Sequence, residues 1–216
     1  MAEIMTFPET PVREGPAVAI VIEDDASPVV RLIGRTLRDS SRTGHAHEVL
    51  SRSAGTVAVR SHDTPQSATI AFRGDTIAVT GGVVIEPDAT VFVDLRARFA
   101  SVRESAGDIV LAADTLRALT PPLPHWRAAA RNFWAVTREI PGIPDVLIVE
   151  ADGSERQRFG DGETEYLMAG PADLLAGFFS GADDFAGSLA AGLRIKGTLA
   201  QMSVMTAASW KVRFDV

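Results

Sequence analysis

The chain has 216 residues and a mass of 23.0 kDa, long for one average domain and short for two. It has no cysteine, which excludes a disulfide scaffold, a thiolate metal site, an iron–sulfur cluster and a cysteine nucleophile. Its 28 acidic residues outnumber 21 basic ones, for a net charge of −7, and so acidic a chain lacks the phosphate-neutralising surface on which nucleic-acid binding rests.

Residues 1–26 read as an irregular arm, interrupted by Pro8, Pro11 and Pro16, with a short edge strand in the apolar run 17–22. The acids and prolines at the start do not form the basic and then apolar pattern of a signal peptide. The early apolar run is about a third of a membrane span, so a soluble cytoplasmic protein is expected. Ser27 and Pro28 then suit a helix start. Val29, Val30, Ile33 and Leu37 share one face of that helix, and Arg31, Arg35, Arg38 and Arg42 recur at helical spacing on another. The arginine stripe is either a solvated face or a docking surface for an anionic headgroup, a coenzyme A phosphate or an acidic partner. Gly44 should end the helix, and a second short one is expected over 45–53.

From Gly55 the pattern becomes β. The runs TVAVRS, ATIAF and TIAVT, separated by polar turns, predict an antiparallel meander, with another strand over 90–95. A helix should end before Pro121-Pro122, and a further helix over 127–139 carries Phe133 and Trp134. After a second proline-rich break the outline repeats. VLIVEA is a strand, Asp152-Gly153 is a hairpin signal, ERQRF is a polar strand, and TEYLMA follows the GDG turn. Gly170-Pro171 opens a helix with Leu174, Leu175, Phe178 and Phe179 on a wide apolar stripe, and Gly181 suits its left-handed end. A short helix with Phe185 and Leu189, a short strand at 193–196 and a helix carrying Leu199, Met202 and Met205 come next. The alternating WKVRFDV reads as a final strand.

The stretch AGPADLLAGFFSGADDFAGSLAAGLRIKGTLAQMSVM resembles the sterol carrier protein family, whose type-two sterol-binding domain has a small-Pro-acid helix start, a glycine, a short helix, a Gly-apolar-basic-apolar-x-Gly strand and an amphipathic helix. PDATVFVDL is similar to that family's Pro-Asp-x-Thr strand. The match is most specific over 163–206 and looser over 27–95. The strand motif lies far ahead of the helix motif, as one domain with an insertion or two half-domains in tandem. The division that follows is an arm (1–26), a first sterol-carrier-like half (27–120), a proline-rich linker and helix (121–144) and a second half (145–216).

The resemblance implies an α+β fold with a mostly antiparallel curved sheet, helices packed on one face and an apolar tunnel between the layers. It implies non-catalytic binding or carriage of a sterol, fatty acid or acyl-CoA, with no cofactor and transient membrane contact. The residues expected to line the tunnel are Leu175, Phe178, Phe179, Phe185, Leu189, Leu193, Ile195, Met202 and Met205. The same side chains at helical spacing also suit an ordinary core. The alternative function is an accessory or oligomerisation module, a homodimer for example, whose apolar faces bury a partner subunit. His45-x-His47 lacks metal-ligand spacing on a helix, His62-Asp63 reads as a turn, and His125-Trp126 as structural or interfacial. No metal site is expected.

Overall fold

The computed structural model describes residues 18–83 and 86–215; residues 1–17, most of the expected arm, lie outside the described residues. The chain is mixed α+β. In order, it forms β1 (Ala19–Ile22), α1 (Pro28–Arg42), α2 (His47–Arg52), β2 (Ala54–Ser61), β3 (Ser67–Arg73), β4 (Thr76–Gly81), β5 (Ala89–Asp94), β6 (Ala100–Ser101), β7 (Ala106–Gly107) and α3 (Ile109–Ala118). Then come α4 (Trp126–Thr137), β8 (Val146–Ala151), β9 (Glu155–Phe159), β10 (Glu165–Gly170), α5 (Ala172–Phe179), α6 (Phe185–Ala190), β11 (Arg194–Lys196) and α7 (Leu199–Phe214).

The strands form two open sheets rather than one. The first has the order β1-β4-β3-β2-β5-β6, with β7 also on β5; the second has the order β11-β10-β8-β9. The expected meander is β2-β3-β4. Pairing is antiparallel except for β1–β4, β2–β5 and β8–β10. Both sheets are built around a parallel pair. In the first, β2 and β5 are flanked by antiparallel β3 and β6. In the second, β8 and β10 are flanked by antiparallel β9 and β11. The β8–β9 turn uses Asp152 and Gly153, both at positive φ (52° and 73°), the backbone that lets two residues join twisted strands.

Each sheet has its own apolar core. Val57, Val59, Val91 and Val93 alternate with outward residues and meet Val30, Ile33 and Leu37 of α1, with Leu111 and Ala112 of α3. The second core gathers Leu147, Val149, Tyr166 and Met168 from the sheet with Leu175, Phe178 and Phe179 of α5. It also takes Trp126, Ala130 and Phe133 from α4. The helix expected within a linker segment is thus an integral part of the second core.

The carboxy-terminal segment corrects the expectation of a final strand: α7 runs unbroken to Phe214. WKVRFDV alternates, but Met205, Ala208, Ser209 and Arg213 are buried and Val212 packs on the second core, which is helical spacing. A capping box between Thr198 and Gln201 starts the helix, and extending an existing helix needs no new nucleus.

An aspartate after a proline clasps the start of each parallel pair. Asp88 Oδ2 accepts from the backbone N–H and hydroxyl of Thr56 at 2.7 and 2.9 Å. Asp145 Oδ2 accepts from the N–H and hydroxyl of Thr164 at 3.0 and 2.7 Å. These bonds favour the ionised form and hold both carboxyls below the usual range. The stability they contribute is present above the ordinary aspartate value of about 3.9. It is lost as pH falls through the lowered folded values. The double variant Asp88→Asn/Asp145→Asn should therefore show a shallower fall of Tm than the wild type between about pH 5 and about pH 2; an unchanged profile would remove the clasps from the account. A fragment of residues 145–216 lacks α4 and leaves the Phe133 site empty. Expressed alone it should be insoluble or molten, and a dispersed NMR spectrum from it would contradict this division of the core.

Candidate functional site

The nine residues singled out on the resemblance occupy the second core. Leu175, Phe178 and Phe179 are wholly buried, Phe185, Leu193 and Met205 nearly so, and Leu189, Ile195 and Met202 pack at its margin. The rings touch one another: Phe178 to Phe179 at 5.1 Å, Phe178 to Phe185 at 5.2 Å and Phe133 to Phe179 at 5.2 Å between centroids. These are distances of packed aromatic pairs, and none of the nine lines the cleft that joins the two cores.

That cleft, of about 650 Å³, lies at the seam between the two halves. Its apolar lining comes from Leu119 and Pro121 to Pro124 of the connector, Ala128, Ala129 and Val136 of α4, and Val212 of α7, with Thr120 and Asn132 among them. Its charged lining is Arg35, Asp39 and Arg42 of α1, Arg98, Lys211 and Asp215. Two sequence features considered separately, the arginine stripe and the proline-rich connector, thus line one cleft.

The stripe is not a uniformly solvated face. Arg31 Nε donates to the Ala26 carbonyl at 3.0 Å, close to its own helix start. Arg35 is only 8% exposed. Its Nη1 donates to Asp39 and to the Ser180 carbonyl, both at 2.7 Å, and its Nε is buried without a partner. Arg38 pairs with Asp215 at 2.9 Å. Arg42 is largely exposed and shares Asp39 at 2.6 Å. Burial raises the Asp39 carboxyl above its usual value, against the pull of Arg35 and Arg42, and burial lowers Arg35.

Two further arginines carry the seam. Arg98 grips Asp183 through Nε at 2.7 Å and through Nη2; the bidentate bond raises the guanidinium above its ordinary value. Arg213, 5% exposed, donates to the carbonyls of Gly181 and Ala182 at 2.9 and 2.7 Å and of Leu95 at 2.9 Å. Burial, with Arg35 nearby, lowers it to about 10, so it stays charged at neutral pH. Neither residue has a signal in the sequence: Arg98 falls in an irregular segment and Arg213 in the misread strand.

Arg98 and the buried Phe99 both hold positive φ, 52° and 59°. Two successive left-handed residues other than glycine, one of them aromatic, cost on the order of 1–3 kcal/mol each, and both line the cleft. Strain of this kind clusters at binding and catalytic sites. The histidines lie elsewhere. His45 meets the Arg117 carbonyl at 2.8 Å. His125 caps α4, its Nδ1 accepting from the Arg127 N–H at 3.2 Å, and His62 Nε2 lies 3.7 Å from Asp94. Among the described residues, no group of three or more His, Asp or Glu side chains is placed to hold a metal ion, and no helix is long and apolar enough to cross a membrane. Comparison with protein-family models, with curated proteins and with solved structures found no match.

Arg213 joins α7 to both the 180–184 turn and the first half. Arg213→Met keeps the length of the side chain and leaves three carbonyls without their donor. Each unsatisfied buried acceptor costs about 1–3 kcal/mol, partly offset by relief of guanidinium desolvation. The variant should melt about 5–10 °C below the wild type; a change within 1 °C, on the order of a few tenths of a kcal/mol, would show that the seam does not rest on this residue.

Proposed function

We propose that the protein is a non-catalytic carrier of an amphipathic anion of fatty-acid type, with the apolar body on the connector–α4 wall and the charged end on the α1 wall. The observation that carries this reading is a single cleft whose lining combines an apolar set from the connector and α4 with arginines of α1. Pockets of this volume suit lipid-sized molecules. Ten methylenes buried against such a wall would contribute roughly 8 kcal/mol before the losses of association, so burial supplies the affinity and the charged wall sets the orientation. Arg42, exposed and paired among the described residues with Asp39, is a cation placed to turn towards an arriving anion.

An internal duplication belongs to the same proposal. Its support is the pairing pattern common to the two sheets, a parallel pair with an antiparallel strand on each side, together with the Pro-Asp clasp at each pair. On this view the chain is two related halves, and the ligand lies between them rather than beneath one sheet. The rival reading, an interaction module, draws on Ile109 and Val110, adjacent and 74% and 72% exposed at the start of α3.

The test combines solvent extraction and mass spectrometry of the purified protein with titration of an anthroyloxy-labelled stearate. Wild type should bind the probe. Ala128→Trp, which fills the apolar side from an exposed position, should abolish binding while the melting curve stays cooperative, and Arg42→Glu should weaken it by about tenfold, some 1.4 kcal/mol. Probe binding that survives Ala128→Trp would place the ligand elsewhere. A lipid-free protein that ignores the probe and elutes as a dimer would favour the rival.

A further inference from the structure

A second concavity, of about 420 Å³, lies on the face of the first sheet opposite α1. Three side chains stand in a row across neighbouring strands. Ser67 of β3 is the register partner of Arg60 in β2, and Arg60 is the partner of Phe92 in β5. Partners in register project to the same face, and Val59 and Val91, one position away, are buried on the other. Arg103 folds back over this row with its guanidinium carbon 3.3 Å from the centre of the Phe92 ring. Thr64 and Gln66 of the β2–β3 turn complete the rim with His62.

The charge balance of this pocket differs from that of the seam. At the seam Arg35, Arg38, Arg42 and Arg98 are each paired with a carboxylate. Here no acidic residue lines the pocket, and among the described residues neither Arg60 nor Arg103 has a carboxylate partner or a side-chain hydrogen bond. Asp63 and Asp94 are engaged elsewhere. Asp63 accepts from the Ser61 hydroxyl at 2.7 Å. Asp94 accepts from the Arg96 and Ala97 N–H groups at 2.7 and 3.2 Å and lies beside His62. Two like charges held in one concavity repel, and an anion between them converts that repulsion into attraction. Stacking on Phe92 leaves the N–H edge of Arg103 open, and a guanidinium edge matches the oxygens of phosphate two at a time. The hydroxyls of Thr64 and Ser67 and the amide of Gln66 add neutral donors for a third oxygen.

We propose that the Arg60–Arg103 pocket over Phe92 is a binding site for a phosphate monoester, separate from the seam cleft and independent of the carrier reading. A monoester carries close to two negative charges at neutral pH, matching two unpaired arginines, whereas a single carboxylate leaves one of them unmatched.

Inorganic phosphate is the first probe, followed on the full chain by amide NMR with chloride at equal ionic strength as the control. Shifts should be confined to residues 60–67 and 92–103 and should saturate. Arg103→Ala should weaken binding at least tenfold, Arg103→Lys should recover only part because an ammonium lacks the fork, and Arg60→Ala/Arg103→Ala should abolish it. Sedimentation with phosphatidylcholine vesicles containing phosphatidic acid then identifies the source. Co-sedimentation lost in the double variant assigns the phosphate to a lipid headgroup, and its absence beside a positive phosphate titration assigns it to a soluble ester; both uphold the site. Amides that do not respond to phosphate beyond the chloride control, or a double variant that binds like the wild type, would overturn the proposal.

Discussion

The turn at residues 180–184 follows α5, whose own last carbonyls at Ala176, Gly177 and Phe178 accept from the N–H groups of Ser180, Asp183 and Gly181, and it leaves the carbonyls of Ser180, Gly181 and Ala182 to be met from outside. Backbone carbonyls withdrawn from water need donors. Here the donors are guanidinium groups from distant parts of the chain. Arg35 of α1 takes the Ser180 carbonyl, Arg213 of α7 takes those of Gly181 and Ala182, and Arg98 takes the Asp183 carboxylate beside them. Gly181 makes the approach feasible. It sits at φ 74°, and a β-carbon there would lie 2.8 Å from the Arg213 Cα. The two sheets do not share strands, so this clasp, with α7 lying along α1, is what sets one half against the other.

The cleft is a consequence of that clasp. Arginines drawn inward to satisfy the turn leave their stems and partners along its lining, while the proline-rich connector, which cannot form regular structure, bridges the halves. Desolvation of the guanidinium groups opposes their burial, and the multiple acceptors at Arg35 and Arg213 offset it. The outer pocket over Phe92 obeys a different logic. Arg103 packs on Phe92, and among the described residues no carboxylate answers it or Arg60.

Much of this architecture is legible in the sequence because it is periodic. The valine alternation of β2 and β5, the glycine at position 181, the Asp152-Gly153 turn and the apolar stripe of α5 each follow from local rules. The phenylalanines of α5 and α6 are legible as buried residues, but a tunnel wall and a core give the same spacing, and the structure packs them ring on ring. WKVRFDV satisfies two periods at once, and tertiary contacts at Val212 and Arg213 select the helical one. The seam is the least legible part. The Arg213 carbonyl partners lie 31, 32 and 118 residues away, and backbone acceptors leave no mark in the sequence. The Arg31–Arg42 stripe is visible, but only the fold shows that its four members have four different surroundings.

The left-handed pair at Arg98 and Phe99 bears on how this protein could change over evolutionary time. A glycine at Phe99 would relieve backbone strain of on the order of 1–3 kcal/mol and would give back only about 0.4–1 kcal/mol through the greater freedom of the unfolded chain. On conformational grounds alone the exchange favours glycine. The loss comes from the ring, which is 3% exposed and part of the first core, and from the aim of the neighbouring guanidinium at Asp183. A large aromatic side chain held where its backbone is disfavoured therefore couples the packing of the first core to the position of Arg98. Substitutions that loosen that core would be felt as a shift of the cleft lining, so thermal stabilisation and the shape of the cleft at this corner of the molecule are not separately tunable.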